Sequence, residues 1–216
     1  MILVPVKTLA NAKQRLASVL SQAARTELAH AMLLDVLETL AAWPQCPEVA
    51  VVTTDPFARE LAGSLGFEVI EDANRSETEA IETATAVCQA RGEESTLIIP
   101  GDIPLIEAWE LERILSSAPA EGTVLVPAAD GRGTNAALRR PAGLFPLRFG
   151  NDSFRPHLAA AHATGKSCVV LELPGIAVDV DNPADLQEVA MRSGERRTQK
   201  LARDWGFGEL SKAVNE

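Results

Sequence analysis

"STLIIPGDIPLI", residues 95–106, is a short apolar run that breaks off into proline, glycine and aspartate before a second proline. The run reads as a buried strand that empties into a stiff turn, with Asp102 presented just beyond the strand end. Its surroundings read the same way. "MILVPV" (1–6), "EVAVVTT" (48–54), "FEVIE" (67–71) and "TVLVPA" (123–128) are further short strands. "NAALRR" (135–140) leaves a glycine loop as a strand, and "SCVVLEL" and "IAVDVD" read as two late strands joined at Pro174-Gly175. Amphipathic stretches alternate with them. One spans 21–43 behind Ser21 as N-cap, and one opens at Asp55-Pro56 and closes at Gly66. Others cover 76–91, 107–117, 154–164 and a last helix from Asn182-Pro183 to about Arg192. Strands alternating with helices imply β-α-β units and a mostly parallel sheet. Ligands of such sheets bind at the carboxyl ends of the strands. The residues that follow strands are therefore the ones to weigh.

The chain has 216 residues, 46% apolar and 23% charged, which suits one globular domain with a full core. Twenty basic against 30 acidic side chains leave a net charge of −10. An acidic surface of that kind disfavours nucleic acid and anionic membranes as partners. An anionic small molecule would need a few placed lysines and arginines, or a metal, to overcome the field locally. No run approaches the roughly 20 apolar residues of a membrane span. The N-terminal stretch lacks the basic lead of a secretory signal. Three scattered cysteines suggest neither a disulfide framework nor a zinc site, so the expected setting is the reducing cytoplasm.

Five constellations follow the strands. "VKTLANAKQRL" places Lys7, Lys13 and Arg15 within nine positions, either as a solvated helix start or as a cationic cradle for polyphosphate. Asp102 is either a plain turn residue or a carboxylate suited to Mg²⁺ at the sheet edge. In "IAVDVDNPADL" Asp179 and Asp181 stand two apart, so on an extended strand both carboxylates share a face and repel each other. A divalent cation relieves that repulsion. Asn182 and Asp185 already cap the following helix, which leaves the two aspartates without a structural task. "DGRGTNAALRRP" (130–141) is a glycine-flanked turn whose backbone N–H groups could hold an anion, although it matches neither standard phosphate-loop pattern. "FGNDSFRPH" (149–157) offers Gly150, Ser153, Arg155 and His157 at a helix start, where anions also bind. Its plain alternative is Ser153 or Asp152 as N-cap and His157 as a surface residue, ahead of any role as general base.

Taken in order, "VPVKTLANAKQRL", "PGDIPLI", "DGRGTNAAL", "FGNDSFRPHLAAA" and "DVDNPADL" resemble the 2-phospho-L-lactate or phosphoenolpyruvate guanylyltransferases of coenzyme F420 biosynthesis. The resemblance implies a Rossmann-like mixed, mostly parallel sheet flanked by helices, of the nucleotide-diphospho-sugar transferase (GT-A-like) kind. It implies GMP transfer from GTP to 2-phospho-L-lactate, phosphoenolpyruvate or 3-phosphoglycerate, with release of pyrophosphate and a requirement for Mg²⁺. By the same resemblance Asp102, Asp179 and Asp181 bind the metal, and Lys7, Lys13 and Arg15 face the GTP phosphates. Lys13, Arg15 and Asp102 are then the catalytic set. Thr134, Asn135, Gly150 and Ser153 would cradle the phosphoacid, with Gly131 and Gly133 letting the backbone approach closely. Residues 1–192 form the transferase domain, and 193–216 a charged extension with Trp205 and Phe207 as docking points. Many relatives carry G-L-N-A-A on the nucleotide side where this chain reads "ANRSETEAIETA", with Ser76 and Glu79 fitting a capping box. That departure leaves the reading of the base open. A homodimer is among the expectations. The alternatives are a molybdenum-cofactor guanylyl- or cytidylyltransferase, a sugar-transferring enzyme of the same fold, and a catalytically silent nucleotide-binding module.

Overall fold

The computed structural model describes residues 1–71, 76–150 and 152–208. A seven-stranded sheet runs through it in the order β3-β2-β1-β4-β6-β5-β7. The strands are β1 (Ile2–Pro5), β2 (Val49–Val52), β3 (Glu68–Ile70), β4 (Thr96–Ile98), β5 (Gly122–Pro127), β6 (Thr134–Arg140) and β7 (Ser167–Val170). All neighbouring pairs are parallel except those made by β6, which lies antiparallel to both β4 and β5. The sheet is thus mixed and mostly parallel, as expected.

Alternate strand residues go to opposite faces. Ile2, Val4, Val49, Val51, Leu97, Val124 and Leu138 pack on one side with α1 (Gln22–Ala42), α2 (Pro56–Ser64), α4 (Ala108–Ser117), α6 (Pro183–Met191) and α7 (Arg197–Asp204). Leu3, Ala50, Val52, Ile98, Leu125 and Ala137 pack on the other with α3 (Glu77–Ala90) and α5 (Phe154–Ala163). Both faces are covered, which is why the strands read as unbroken apolar runs. The expected caps form. Ser21 accepts from the Ala24 N–H, Asp55 from Ala58, Ser76 from Glu79, and Asn182 and Asp185 make a reciprocal box.

Two expectations change. "IAVDVD" joins no sheet. Its backbone is held by single bonds, Ala129 N–H to the Ala177 carbonyl at 2.8 Å and Val180 N–H to the Asp102 carbonyl at 3.2 Å, so it crosses the sheet edge as an irregular segment. Residues 197–204, read as part of a charged extension, form α7 against α1 and α6. The reason is remote in sequence. Asp35 of α1, 2% exposed, accepts the first N–H groups of α7 from Arg197 (3.1 Å) and Thr198 (2.9 Å). Trp205 and Phe207 then pack against the main core, as docking points. Asp35→Ala leaves those donors buried and unpaired. It should lower unfolding free energy by about 2–3 kcal/mol, read from the urea midpoint, with little effect on any activity.

The chain order sets where a site can lie. From β1 the chain steps to β2 and β3 on one side, while β4 lies on the other, so β1 and β4 flank a topological switch point. Because β6 is antiparallel and Ile98 pairs with Ala137, the start of β6 lies at the same edge as the ends of β1 and β4.

Candidate active site

Two cavities open along that edge. The first, about 440 Å³, lies over the end of β1 and is lined by Lys7, Leu9, Asn11, Lys13, Met32 and Gly101 among others. The second, about 500 Å³, lies over the start of β6 and is lined by Arg132, Thr134, Asn135, Gly150, Ser153 and Asp179 among others. Arg15, Glu77, Pro100, Asp102 and Asp181 belong to both walls. Lys7, Lys13, Arg15, Asp102, Thr134, Asn135, Gly150, Ser153, Asp179 and Asp181 therefore each line one cavity or the other, whereas Gly131, Arg155 and His157 line neither.

Their junction is an ionic cluster. The Lys13 ammonium donates to Asp102 Oδ2 at 2.6 Å and Asp181 Oδ1 at 3.1 Å, and Arg15 reaches Asp181 Oδ2 at 3.3 Å. Burial works against the charge on Lys13, but Asp102 and then Asp181 outweigh it and raise its pKa above the ordinary lysine value. Burial, Asp102 and Asp181 raise the Asp179 carboxyl above the usual aspartate range, against the hydrogen bond from Asn135. Glu77, at the start of α3, is pushed up to about 7 by burial and by Asp102, with Lys7 and Lys13 opposing. Among the described residues no three His, Cys, Asp or Glu side chains converge closely enough to hold a metal ion by themselves. The position between Asp102 and Asp181 is taken by the Lys13 ammonium.

The loop that carries Lys13 is built to aim it. Leu9 N–H donates to Asp55 Oδ2 at 2.9 Å, and Thr26 bonds the Ala10 carbonyl at 3.2 Å, tying the loop to α2 and α1. Lys13 itself has φ 55°, and Asp152 beside the second cavity has φ 57°. They are the two non-glycine left-handed residues among those described, and such backbone strain clusters at functional sites. On the other flank, Asp185 accepts the Asp181 N–H at 2.8 Å and so fixes the backbone that carries that carboxylate.

Two expected details do not hold, and Asn135 has a structural task besides. The 130–133 loop offers no nest of free amides. Gly131 N–H bonds the Ala128 carbonyl at 2.8 Å, and Asp130 Oδ1 takes the N–H groups of Arg132 (2.8 Å) and Gly133 (3.4 Å). Asn135 is occupied too, since its Nδ2 donates to the Ile176 and Ala177 carbonyls (3.0 and 3.1 Å) and to Asp179 Oδ1 (3.0 Å). It holds the irregular 176–179 segment in place. His157 is neither a surface residue nor a free base. It is 1% exposed and its Nε2 accepts the Arg148 N–H at 2.8 Å. Ser153, by contrast, sits at the N-cap of α5 without capping it, which leaves its hydroxyl at the cavity wall.

Glu77 and Arg132 are functional candidates that the sequence reading did not assign. Arg132 stands between the two glycines of the quoted loop, and it pairs with Asp152 (2.6 Å) at the second cavity. Of the "ANRSETEAIETA" stretch, residues 73–75 lie outside the described residues, as do Asn151 and residues 209–216.

Known proteins resemble this chain in both sequence and fold. It is 35% identical over 187 residues to the phosphoenolpyruvate guanylyltransferase of Sphaerobacter thermophilus, covering 87% of this chain and 90% of that one. It is 33% identical over 206 residues to the 2-phospho-L-lactate guanylyltransferase of Methanothermobacter thermautotrophicus, covering 95% and 90%. A crystal structure assigned as a nucleotide-diphospho-sugar transferase, from Desulfovibrio desulfuricans, superposes with a TM-score of 0.77 at 19% identity, covering 94% of this chain and 93% of that one. That likeness speaks for the fold. The family model described as "Guanylyl transferase CofC like" matches residues 1–213, beyond the last quoted motif, which ends at Leu186. The chain belongs to the CofC-like guanylyl transferase family.

Proposed function

We propose that the protein moves GMP from GTP onto the phosphate of a small phosphorylated carboxylic acid and releases pyrophosphate, in the assembly of coenzyme F420. The acceptor is phosphoenolpyruvate, 2-phospho-L-lactate or 3-phosphoglycerate. The observation that carries this reading is the meeting of two cavities at one ionic cluster, with Asp102 and Asp181 in both walls. One cavity suits the nucleotide and the other the acceptor. The three unpaired cysteines support a cytoplasmic setting, and no helix among the described residues is long and apolar enough to cross a membrane.

In the reaction an oxygen of the acceptor phosphate attacks the α-phosphorus of GTP. The new O–P bond forms as the α–β bridging bond breaks, and pyrophosphate leaves with that electron pair. The attacking phosphate is already anionic at neutral pH, so no general base is required. Catalysis then rests on alignment and on offsetting charge. Lys13, held between Asp102 and Asp181, and Arg15 beside it provide the positive field for the triphosphate. Lys7 extends that field at the nucleotide end of the first cavity. Arg132 provides charge for the acceptor, exchanging Asp152 for the incoming anion.

The residues at the junction also suit Mg²⁺, whose preferred ligands are carboxylate oxygens together with water and substrate phosphate. Asp102 and Asp181 would hold it, with Asp179 behind them. Lys13, an ammonium seated between these two carboxylates, supports the reading of the position as one for a cation. When bound, the ion would neutralise charge on the reacting phosphates.

The test is pyrophosphate release with GTP, CTP and ATP crossed against the three phosphoacids. Release with GTP and one acid supports the reading, whereas release only with CTP or ATP, or with no pair, overturns it. Arg132→Ala should raise the acceptor KM roughly tenfold, with the GTP KM unchanged, because it removes a charge-assisted contact on one side only. Separate titrations of the two substrates in steady state check this.

A further inference from the structure

His157 is a buried titratable group behind the second cavity, in contact with Thr134 of its wall, that the proposed reaction does not use. Its imidazole is pinned on every side. Nε2 accepts the backbone N–H of Arg148 at 2.8 Å, and Nδ1 lies 2.9 Å from Thr134 Oγ1. The ring of Phe149 meets it edge-on at 5.1 Å. A backbone N–H can only donate, so Nε2 carries no proton, and a neutral imidazole then holds its proton on Nδ1. Burial and, next, Arg139 push the His157 pKa down to about 4, which keeps the ring neutral at ordinary pH. Nδ1–H therefore donates to Thr134.

A hydroxyl has one proton and two lone pairs. With His157 donating to it, Thr134 must send its own proton elsewhere. Ser153 Oγ donates to it across 3.4 Å, so both lone pairs of Thr134 are taken, and both hydroxyls line the second cavity. The Thr134 proton is then left to point into the cavity, and the row of bonds from Arg148 through His157 ends as an O–H donor at the cavity wall. Such a wall suits a group that only accepts, a carboxylate or a fully ionised phosphate oxygen.

We infer that His157 is a positioning residue. It fixes the Thr134–Ser153 hydroxyl pair as a donor toward the anionic end of the acceptor. This rests on the reading of the second cavity as the acceptor's. The backbone supports the assignment, since Ser153 and His157 stand four apart on α5 and so share one helix face. The 148–149 segment is held independently of the imidazole by the Phe149 N–H bond to Thr78 at 3.0 Å.

The test compares two near-isosteres with phosphoenolpyruvate as acceptor. His157→Gln keeps an acceptor for Arg148 and loses the donor to Thr134, whereas His157→Asn keeps an amide donor where Nδ1 stood. His157→Gln should raise the acceptor KM roughly 10- to 100-fold and leave the GTP KM unchanged. His157→Asn should recover most of that loss. Thr134→Val should match His157→Gln, and the double variant should be no worse than Thr134→Val alone, because one residue acts through the other. Gln and Asn variants that behave alike, or effects that multiply in the double variant, overturn the inference. The nitrogen-15 spectrum of the unliganded protein reads it without turnover. A His157 resonance pattern with Nδ1 protonated and Nε2 bare supports it, and the reverse tautomer overturns it. If the parent protein transfers nothing to phosphoenolpyruvate, the functional reading fails at that acceptor while this spectrum still decides the tautomer on which the inference depends.

Discussion

Asp181→Asn lowers kcat/KM by about 10³-fold and leaves the fold as stable as before. Asparagine matches aspartate in shape, and the backbone at 181 is held by Asp185 instead of by the carboxylate itself. What disappears is one negative charge at the wall shared by both cavities, facing Lys13 at 3.1 Å and Arg15 at 3.3 Å. Losing a preorganised charged group at a phosphoryl-transfer centre removes stabilisation from the transition state above all, on the scale of 10²–10³ or more. The folded state meanwhile loses a carboxylate that repels the neighbouring Asp179. Its midpoint in urea should hold steady or rise slightly. Steady-state kinetics beside urea unfolding separate the two effects. Near-parental turnover would remove Asp181 from the chemistry.

Lys13→Gln has the larger combined effect and the opposite sign in stability. Its side chain is 8% exposed, and its ammonium sits between two carboxylates that remain when it is gone. A buried pair cut at one end leaves an uncompensated charge, which costs 3–5 kcal/mol where burial is complete. Asp102 and Asp181 keep a third or more of their side-chain surface in solvent, so screening reduces the cost here to about 1–2 kcal/mol. Turnover should fall by about 10²–10³-fold, because the charge offsetting the triphosphate is removed. Added Mg²⁺ should return part of the lost stability by taking the place between the carboxylates, and should return little of the turnover. Thermal unfolding with and without the ion reads the first expectation, and kinetics at saturating GTP the second. If Lys13→Gln proves as stable as the parent in the absence of any divalent ion, the cluster is not the electrostatic keystone described above.

The parts of this molecule legible in its sequence were those decided by neighbours in the chain. Ser21, Asp55-Pro56 and Asn182 with Asp185 announce helix starts because a cap acts within three residues. Asp102 announced itself by standing directly after a buried strand. The rest depends on partners far away in the sequence. The N-terminus of α7 is satisfied by Asp35, so a polar stretch that looks aperiodic becomes a docked helix. "IAVDVD" has the two-residue alternation of a strand, yet its N–H and carbonyl groups pair singly with Asp102 and Ala129. The glycine loop has the composition of an anion nest, but Asp130 consumes its amides, and Asn135 is spent on the segment that carries Asp179. On the proposed reading, what the site offers the acceptor is side chains, Arg132, Thr134 and Ser153, more than backbone. The i, i+4 spacing of Ser153 and His157 was in plain sight, and only the contact to Thr134 across the sheet edge gives it meaning.

Phosphorus-31 NMR of the protein with GTP, Mg²⁺ and each phosphoacid in turn tests the central claim most directly, because it sees which bond is made and which is broken. The account predicts free pyrophosphate and, in equal amount, a new phosphoanhydride whose two coupled phosphorus atoms come from the acceptor and from the α-position of GTP. GDP with inorganic phosphate, GDP joined to another product, or an unchanged spectrum with all three acids would contradict it.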